Sequence, residues 1–545
     1  MRTFTVVLFS ALFLTSCHFK RSEADLVIFN ATVYTLNETN SVEQAIAIKD
    51  GKIVAVGKDR DILNNFRYSE SIDAEQQYIY PGFIDAHCHF VNYGLGLQNV
   101  DLKGCRSFAE VLQRLTKFSK ANPGQQWIIG RGWDHTDWPG KIWPVKDSLD
   151  LLFPDRPVLL HRVDGHAALV NQSALAAAGF SPSTKISGGV LMKANGKLTG
   201  LLKENAVDSV MKFIPKPNET ELGNALKKAQ KNCFAVGLTT VDDAGLDIGT
   251  LLMLKKLSEA GQIGIRVYAM ASDNPENFAY FTENGAIRNP YLNVSSFKFY
   301  ADGSLGSRSA CLVQPYHDDI HEHGLLTTTP EELKSRFERV FAMNFQANTH
   351  AIGDSANREI LKLYGDILKG ANDHRWRIEH AQVVTPQDLE FFRKFTIIPS
   401  IQPTHATSDA KWAADRLGPD RVHTAYAYKK LLKQNGILAL GTDAPVEDIN
   451  PLYTFYSAVF RKNTRQEPEG GFQTEDALTR EEALKGMTLW AALANHEENQ
   501  KGSIEKGKFA DLVFMNRDLF KAPEQEVLKA KVIRTMVDGK TVYKD

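Results

Sequence analysis

The stretch GFIDAHCHF, residues 82–90, decides the fold. It is a short apolar run ending in histidines, and seven comparable runs follow it. They are LTTVDDAG (238–245), IRVYAMA (265–271), FKFYADGS (297–304), QANTHAIGD (346–354), WRIEHAQ (376–382), IIPSIQPTH (397–405) and ILALGTDAP (437–445). Helix-like stretches alternate with these strand-like runs, the pattern of an α/β domain with a parallel sheet. Eight is the strand count of a (β/α)8, TIM-like barrel. The gap between the first and second runs is about 150 residues, far longer than an ordinary connection. It has a β-like piece of its own, VLLHRVDGH (158–166), and helical stretches such as SALAAAG. We therefore read residues 91–236 as a large α/β insertion after barrel strand 1.

The chain ends have a different rhythm. ADLVIFNATVYTL and AIAIKDGKIVAVG (45–57) are β-rich, with a turn at Asp50-Gly51. GKFADLVFMNRD (507–518) and VIRTMVDGKTVYKD (532–545) repeat the style, with a turn at Asp538-Gly539. Residues 24–80 and 496–545 are thus expected to build one small β domain from both termini, around a barrel of residues 81–495.

Residues 1–17, MRTFTVVLFSALFLTSC, stand apart. Arg2 precedes an apolar run from Phe4 to Leu14, too short to span a bilayer. A signal peptide is the expectation. Leu14-Thr15-Ser16-Cys17 resembles the bacterial lipobox, in which Cys17 is lipidated and becomes the mature N-terminus. That implies export to the bacterial cell envelope, lipid-anchored, facing the periplasm or the cell surface. The other four cysteines are widely spaced, and nothing in their spacing identifies a disulfide. With 64 Lys+Arg against 65 Asp+Glu among 545 residues, the net charge is −1. That balance excludes a generally basic nucleic-acid binder. A small molecule is the expected partner, and a homodimer is compatible with the sequence.

His87 and His89 lie two apart on an expected strand, so both imidazoles face the same way and can share one metal ion. HxH alone is a weak signal. His350, His380 and Asp443 strengthen it, because each falls at the end of a later strand, and such ends converge in a barrel. Histidine nitrogens and carboxylate oxygens suit zinc and similar divalent ions, one or two of them. A bound ion lowers the pKa of its water to about 7, and Asp443 is placed to move that water's proton to a leaving amine.

These motifs also carry a family resemblance. PGFIDAHCHF, HRVDGHAALVNQSAL, TGLLKENA, KFYADGSLGSRSA, THAIGDSAN, RIEHAQ, IQPTHATSD, GTDAPVEDINPL and GSIEKGKFADLVF occur in order. The chain resembles the amidohydrolase superfamily and, within it, YtcJ-like amidohydrolase-3 proteins, which include N-substituted formamide deformylase-like enzymes. The resemblance implies a metal-dependent hydrolase of C–N bonds, amide or N-formyl, with a small β-sandwich formed by the chain ends. It places His87, His89, His350, His380 and Asp443 at metal and catalytic positions. It also implies a carboxylated lysine at Lys298, whose oxygens would bridge two ions. Glu204 is the rival bridge, and pairing of Lys298 with Asp302 is the structural alternative. Esterase or lactonase chemistry, or a lipoprotein that binds a small ligand without turnover, are the competing functions.

Further residues are candidates for substrate contact. His166 follows Asp164-Gly165 in the insertion and either reaches substrate or belongs to a polar turn. Asp302 and Arg308 lie in DGSLGSR; Arg308 could fork onto a substrate carboxylate or pair internally. His405 and Asp409 follow the seventh run. Trp133, His135 and Trp138 have the character of a binding patch, although aromatic residues more often pack. His317, His321 and His323 read as a solvated loop.

Overall fold

In the computed structural model the eight runs are parallel strands: β1 (Phe83–Cys88), β2 (Leu238–Leu246), β3 (Arg266–Ser272), β4 (Leu292–Tyr300), β5 (Gln346–Ala351), β6 (Arg377–His380), β7 (Ile398–Ile401) and β8 (Ala439–Leu440). The structure describes residues 21–162, 167–186 and 189–545, without the side chains of Thr136, Glu204 and Asn205. Strand β4 starts earlier than its motif suggests, and the Asp302 loop lies beyond it. The strands pair in sequence order and form a nearly closed barrel. They are buried almost throughout, as β1 and β3 show with Ile84, Ala86, Val267, Tyr268 and Met270. Strands covered on both faces need such continuous apolar runs.

The barrel closes where the last strand meets the first. The Asp443 N–H donates to the His87 carbonyl at 2.7 Å. Thr442 donates through its N–H at 2.9 Å and its hydroxyl at 2.6 Å to the buried Asp85 carboxylate. Gly441 allows this approach, since a Cβ there would lie 2.4 Å from the His87 nitrogen. The obstruction is backbone and cannot rotate away. Gly441→Ala is expected to destabilise the fold by about 1–3 kcal/mol, the usual range for overpacking. Urea unfolding of the variant checks this; an unchanged midpoint would contradict the closure described.

The chain divides into two compact units. The first comprises Met1–Cys88, Cys233–Leu251 and Gly264–Asp545. Besides the barrel it has two sheets drawn from the chain ends. One has four strands in the order Lys52–Gly57, Ala45–Lys49, Ser22–Phe29 and Phe66–Asp73. The other has six, with Tyr78–Pro81 from the N-terminal part pairing antiparallel with Leu512–Met515 from the C-terminal part. Leu26, Ile28, Ile46, Ile79, Leu512, Phe514 and Met536 share one apolar core. Both Asp-Gly turns are present, and Asp50, Gly51, Asp538 and Gly539 all have positive φ, as tight hairpins demand.

The second unit comprises His89–Asn232 and Leu252–Ile263. The latter piece lies outside the expected 91–236 boundary. Its sheet has six strands in the order Gly189–Ala194, Lys197–Glu204, Ala167–Val170, Val158–Arg162, Ile128–Trp133 and Val100–Asp101. Helix Phe108–Ala121 is N-capped by Ser107, whose hydroxyl accepts from the Glu110 N–H. Among the described residues no helix is long and apolar enough to cross a membrane. The described cysteines, Cys88, Cys105, Cys233 and Cys311, are free thiols.

Candidate metal centre

The chemistry-bearing residues gather at the C-terminal ends of the barrel strands, the end at which (β/α)8 enzymes place their sites. His87 lies near the end of β1, and His350 is the penultimate residue of β5. His380 closes β6, while Asp443 follows β8 by three residues. His405 comes from helix Pro403–Asp409, which starts immediately after β7. Two groups of ligand atoms result. His87, His89 and Asp443 form one, and His380, His405 and Asp443 form the other; within each, one ligand atom per residue lies within 4.8 Å of the others. His350 belongs to neither group. Its Nε2 is 3.4 Å from the Gly303 carbonyl and 3.6 Å from Asp302 Oδ1.

Hydrogen bonds aim the imidazoles. His87 Nδ1 donates to the Glu379 carboxylate, leaving Nε2 directed to Asp443 Oδ1 at 3.7 Å. His380 Nδ1 donates to Gln402 Oε1 at 2.6 Å. Such outer partners fix the tautomer that presents Nε2 to an ion. Glu379 is itself gripped by Arg377, through Nε–Oε1 at 2.7 Å and Nη2–Oε2 at 3.1 Å. Arg377 also donates to Asp242, Asn495, Ser400 and the Ala86 carbonyl. Arg377, Glu379, Asp242 and Asn495 are all fully buried.

Electrostatics favour neutral imidazoles. Burial, reinforced by the Lys298 ammonium, lowers His87 to about 4 and His350 to about 3. His380 is pushed well below its ordinary value by burial and by the neighbouring histidines. Neutral imidazole is the form that binds metal. Lys298 is buried on β4, with its Nζ 4.7 Å from the Tyr300 ring centre. Burial lowers the Lys298 pKa, against the pull of Glu379 and Asp443. The residues fit a divalent ion on a further ground. His405 Nε2 is buried and makes no hydrogen bond, with Asp443 Oδ2 3.5 Å away. A buried polar atom left this way signals a missing partner.

Other expected residues have different surroundings. The Asp302 carboxylate accepts from the backbone N–H groups of Ile352, Gly353 and Cys311, at 2.8–3.0 Å, and thereby fastens its loop to the end of β5. Burial raises its pKa to about 7 despite those donors. Arg308 forks onto Asp318, at 3.1 and 2.9 Å. Asp409 accepts from the Tyr426 hydroxyl at 2.8 Å. Trp133 and Trp138 are buried, donating to the Leu160 and Cys105 carbonyls, and His135 stacks on Trp143. His317, His321 and His323 are exposed. Cys17 and His166 lie outside the described residues, and the Glu204 side chain does too.

Sequence reasoning overlooked Arg377, Glu379, Gln402, Asp85 and Asp242. A signal was present in Arg377 and Glu379, two apart on a strand and hence on one face.

The chain is 31% identical over 520 residues to YtcJ of Bacillus subtilis (strain 168), covering 94% of this chain and 98% of that one. It is 24% identical over 540 residues to N-substituted formamide deformylase of Arthrobacter pascens, covering 95% and 98%. The crystal structure of an uncharacterized metal-dependent hydrolase from Pyrococcus horikoshii OT3 superposes with a TM-score of 0.80 at 27% identity, covering 92% of this chain and 99% of that one. The model of the amidohydrolase family matches residues 70–543. Because that match takes in the whole barrel and the C-terminal strands, the chain belongs to the amidohydrolase family.

Proposed function

We propose that this amidohydrolase-family protein is a metal-dependent enzyme that hydrolyses a C–N bond, amide or N-formyl, in a small molecule. The observation that carries the reading is the pair of ligand groups meeting at Asp443, with neutral imidazoles aimed by buried partners. His87, His89, His350, His380 and Asp443 would hold one or two ions, with zinc the metal best matched to nitrogen and carboxylate donors. Lys298 joins them as a carboxylated lysine: its depressed pKa favours the uncharged amine that reacts with carbon dioxide. When bound, a divalent ion polarises a carbonyl and brings the pKa of water to about 7.

The protein's own residues supply the rest. Asp443 accepts the proton of the attacking water and delivers it to the nitrogen of the leaving amine. The Arg377–Glu379 pair keeps His87 in one tautomer throughout. Similarity to the N-substituted formamide deformylase supports the C–N assignment. We read the two terminal sheets, with their common core, as the small β-sandwich.

Metal analysis of the purified protein and of a His87→Ala/His89→Ala variant tests the reading, together with a panel of N-formyl, N-acyl and ester substrates. The expected result is stoichiometric metal and C–N turnover in the wild type, with both lost in the variant. Turnover of esters alone would replace amidase with esterase chemistry. Undiminished metal and hydrolysis in the variant would remove the site assignment.

A further inference from the structure

We propose that the chain forms a two-fold homodimer by pairing strand Phe66–Asp73 with the same strand of a second copy. The two strands run antiparallel, in the register that sets Ser69 against Ser69. The proposal is independent of the metal centre and of the substrate.

Among the described residues, Phe66–Asp73 ends the four-stranded sheet and pairs only with Ser22–Phe29. It is exposed along its length, apart from the half-buried Phe66 and Ile72. The peptide groups of such an edge are a template for another strand, and proteins blunt edges with shortness, bulges, lysine, proline or a cover. The other sheet ends are protected in these ways. Lys52–Gly57, at the far side of the same sheet, is covered by Lys508 and Phe509. Val42–Glu43 and Val100–Asp101 have only two residues each. Lys540–Lys544 has a lysine at each end and an irregular pairing. Gly189–Ala194 also pairs irregularly, between Leu191 and Lys193. Phe66–Asp73 has no proline, lysine or glycine, and it keeps one register from Phe66 opposite Ser22 to Asp73 opposite Phe29.

The directions of the peptide groups select the register. The Ala74 N–H donates to the Phe29 carbonyl. Successive peptide groups of a parallel strand alternate in direction, so those of Arg67, Ser69, Ser71 and Asp73 turn away from the sheet. An antiparallel mate must therefore meet this strand with odd residues facing odd ones. Setting Ser69 opposite Ser69 forms about six main-chain hydrogen bonds, among Arg67, Ser69 and Ser71 of the two copies. Phe66 then faces Ile72, and Tyr68 faces Glu70. Arg67 lies diagonal to Asp73, within reach of a long side chain. Sliding the copies by two residues one way sets Glu70 against Glu70, a destabilising like-charge contact. Sliding them the other way shortens the paired stretch.

The test uses the full-length protein. Gel filtration with light scattering gives its mass, and mild oxidation followed by non-reducing electrophoresis gives its cross-links, with the wild type as the background for its own cysteines. The wild type is expected at twice the chain mass. Ser71→Pro removes an outward N–H at an edge position where proline is tolerated, and it should be a folded monomer by circular dichroism. Ser69→Cys should cross-link into a covalent dimer, because facing residues of a hydrogen-bonded pair have Cα atoms about 5.5 Å apart, within disulfide reach. Glu70→Cys should not, since its copies would lie diagonally, about 7–8 Å apart. A monomeric wild type would overturn the proposal, as would a folded Ser71→Pro variant that stays dimeric. Cross-linking of Glu70→Cys in preference to Ser69→Cys would overturn the register.

Discussion

Asp443→Asn is expected to lower kcat/KM for a C–N substrate by about 10²–10⁴-fold, the range associated with losing a positioned acid–base group. The substitution is a clean one. Asp443 has a φ of +60°, a conformation asparagine tolerates better than other residues. The backbone bond from its N–H to the His87 carbonyl does not involve the side chain. Barrel closure should therefore survive, and the thermal midpoint should change little. An amide oxygen can still approach a cation, but it cannot take up the water's proton at neutral pH. Steady-state kinetics and a melting curve on the same preparation check the prediction. Activity within a few-fold of wild type would assign the proton transfer to another group.

Glu379→Ala should damage stability and metal binding together. The variant strands the Arg377 guanidinium, which is fully buried and would retain only Asp242 as a charged partner. Breaking a buried pair in this way costs about 3–5 kcal/mol. It also leaves His87 Nδ1 without its acceptor, and loss of such an outer partner weakens metal affinity by about 10–100-fold. The pH dependence has a definite sign. Burial alone would raise the Glu379 pKa, but Arg377 and His87 outweigh it and hold the carboxyl well below the usual range. A depressed folded-state pKa gives stability that is fully present above the unfolded value of about 4.3 and is lost as pH falls towards the folded one. The deficit of the milder Glu379→Gln variant should thus be largest near neutrality and shrink in acid. Urea unfolding at pH 7 and pH 3 measures it; a deficit that grows in acid would reverse the assignment.

Much of the barrel was legible because its strands are short apolar runs, and buried parallel strands have little choice of composition. His87 and Asp443 were legible because ligand-type residues at strand ends are conspicuous. Glu379 was harder to place, for a geometric reason, although its spacing from Arg377 was a signal. Neighbouring residues on a strand point to opposite faces, so spacing alone assigns Glu379 and His380 to different sides of the sheet. His380 and Ala381 have φ of +72° and +41°, which breaks the alternation and lets both contribute. The grouping of His405 with His380 and Asp443 was hidden similarly. It depends on how a helix leaves β7, which is not written in residue spacing.

The closure of β8 against β1 governs when the centre can exist. His87 and Asp443 lie at opposite ends of the barrel sequence, yet their backbones touch. A ribosome delivers the first histidines long before the aspartate, and closing so distant a contact is a late, slow event in folding. A partly made chain offers only isolated imidazoles, which bind metal weakly and with little preference. The ion that is finally captured is then the one available where the last strand docks. If the chain crosses a membrane unfolded, the metal supply of its destination, rather than that of the cell interior, sets which enzyme is made.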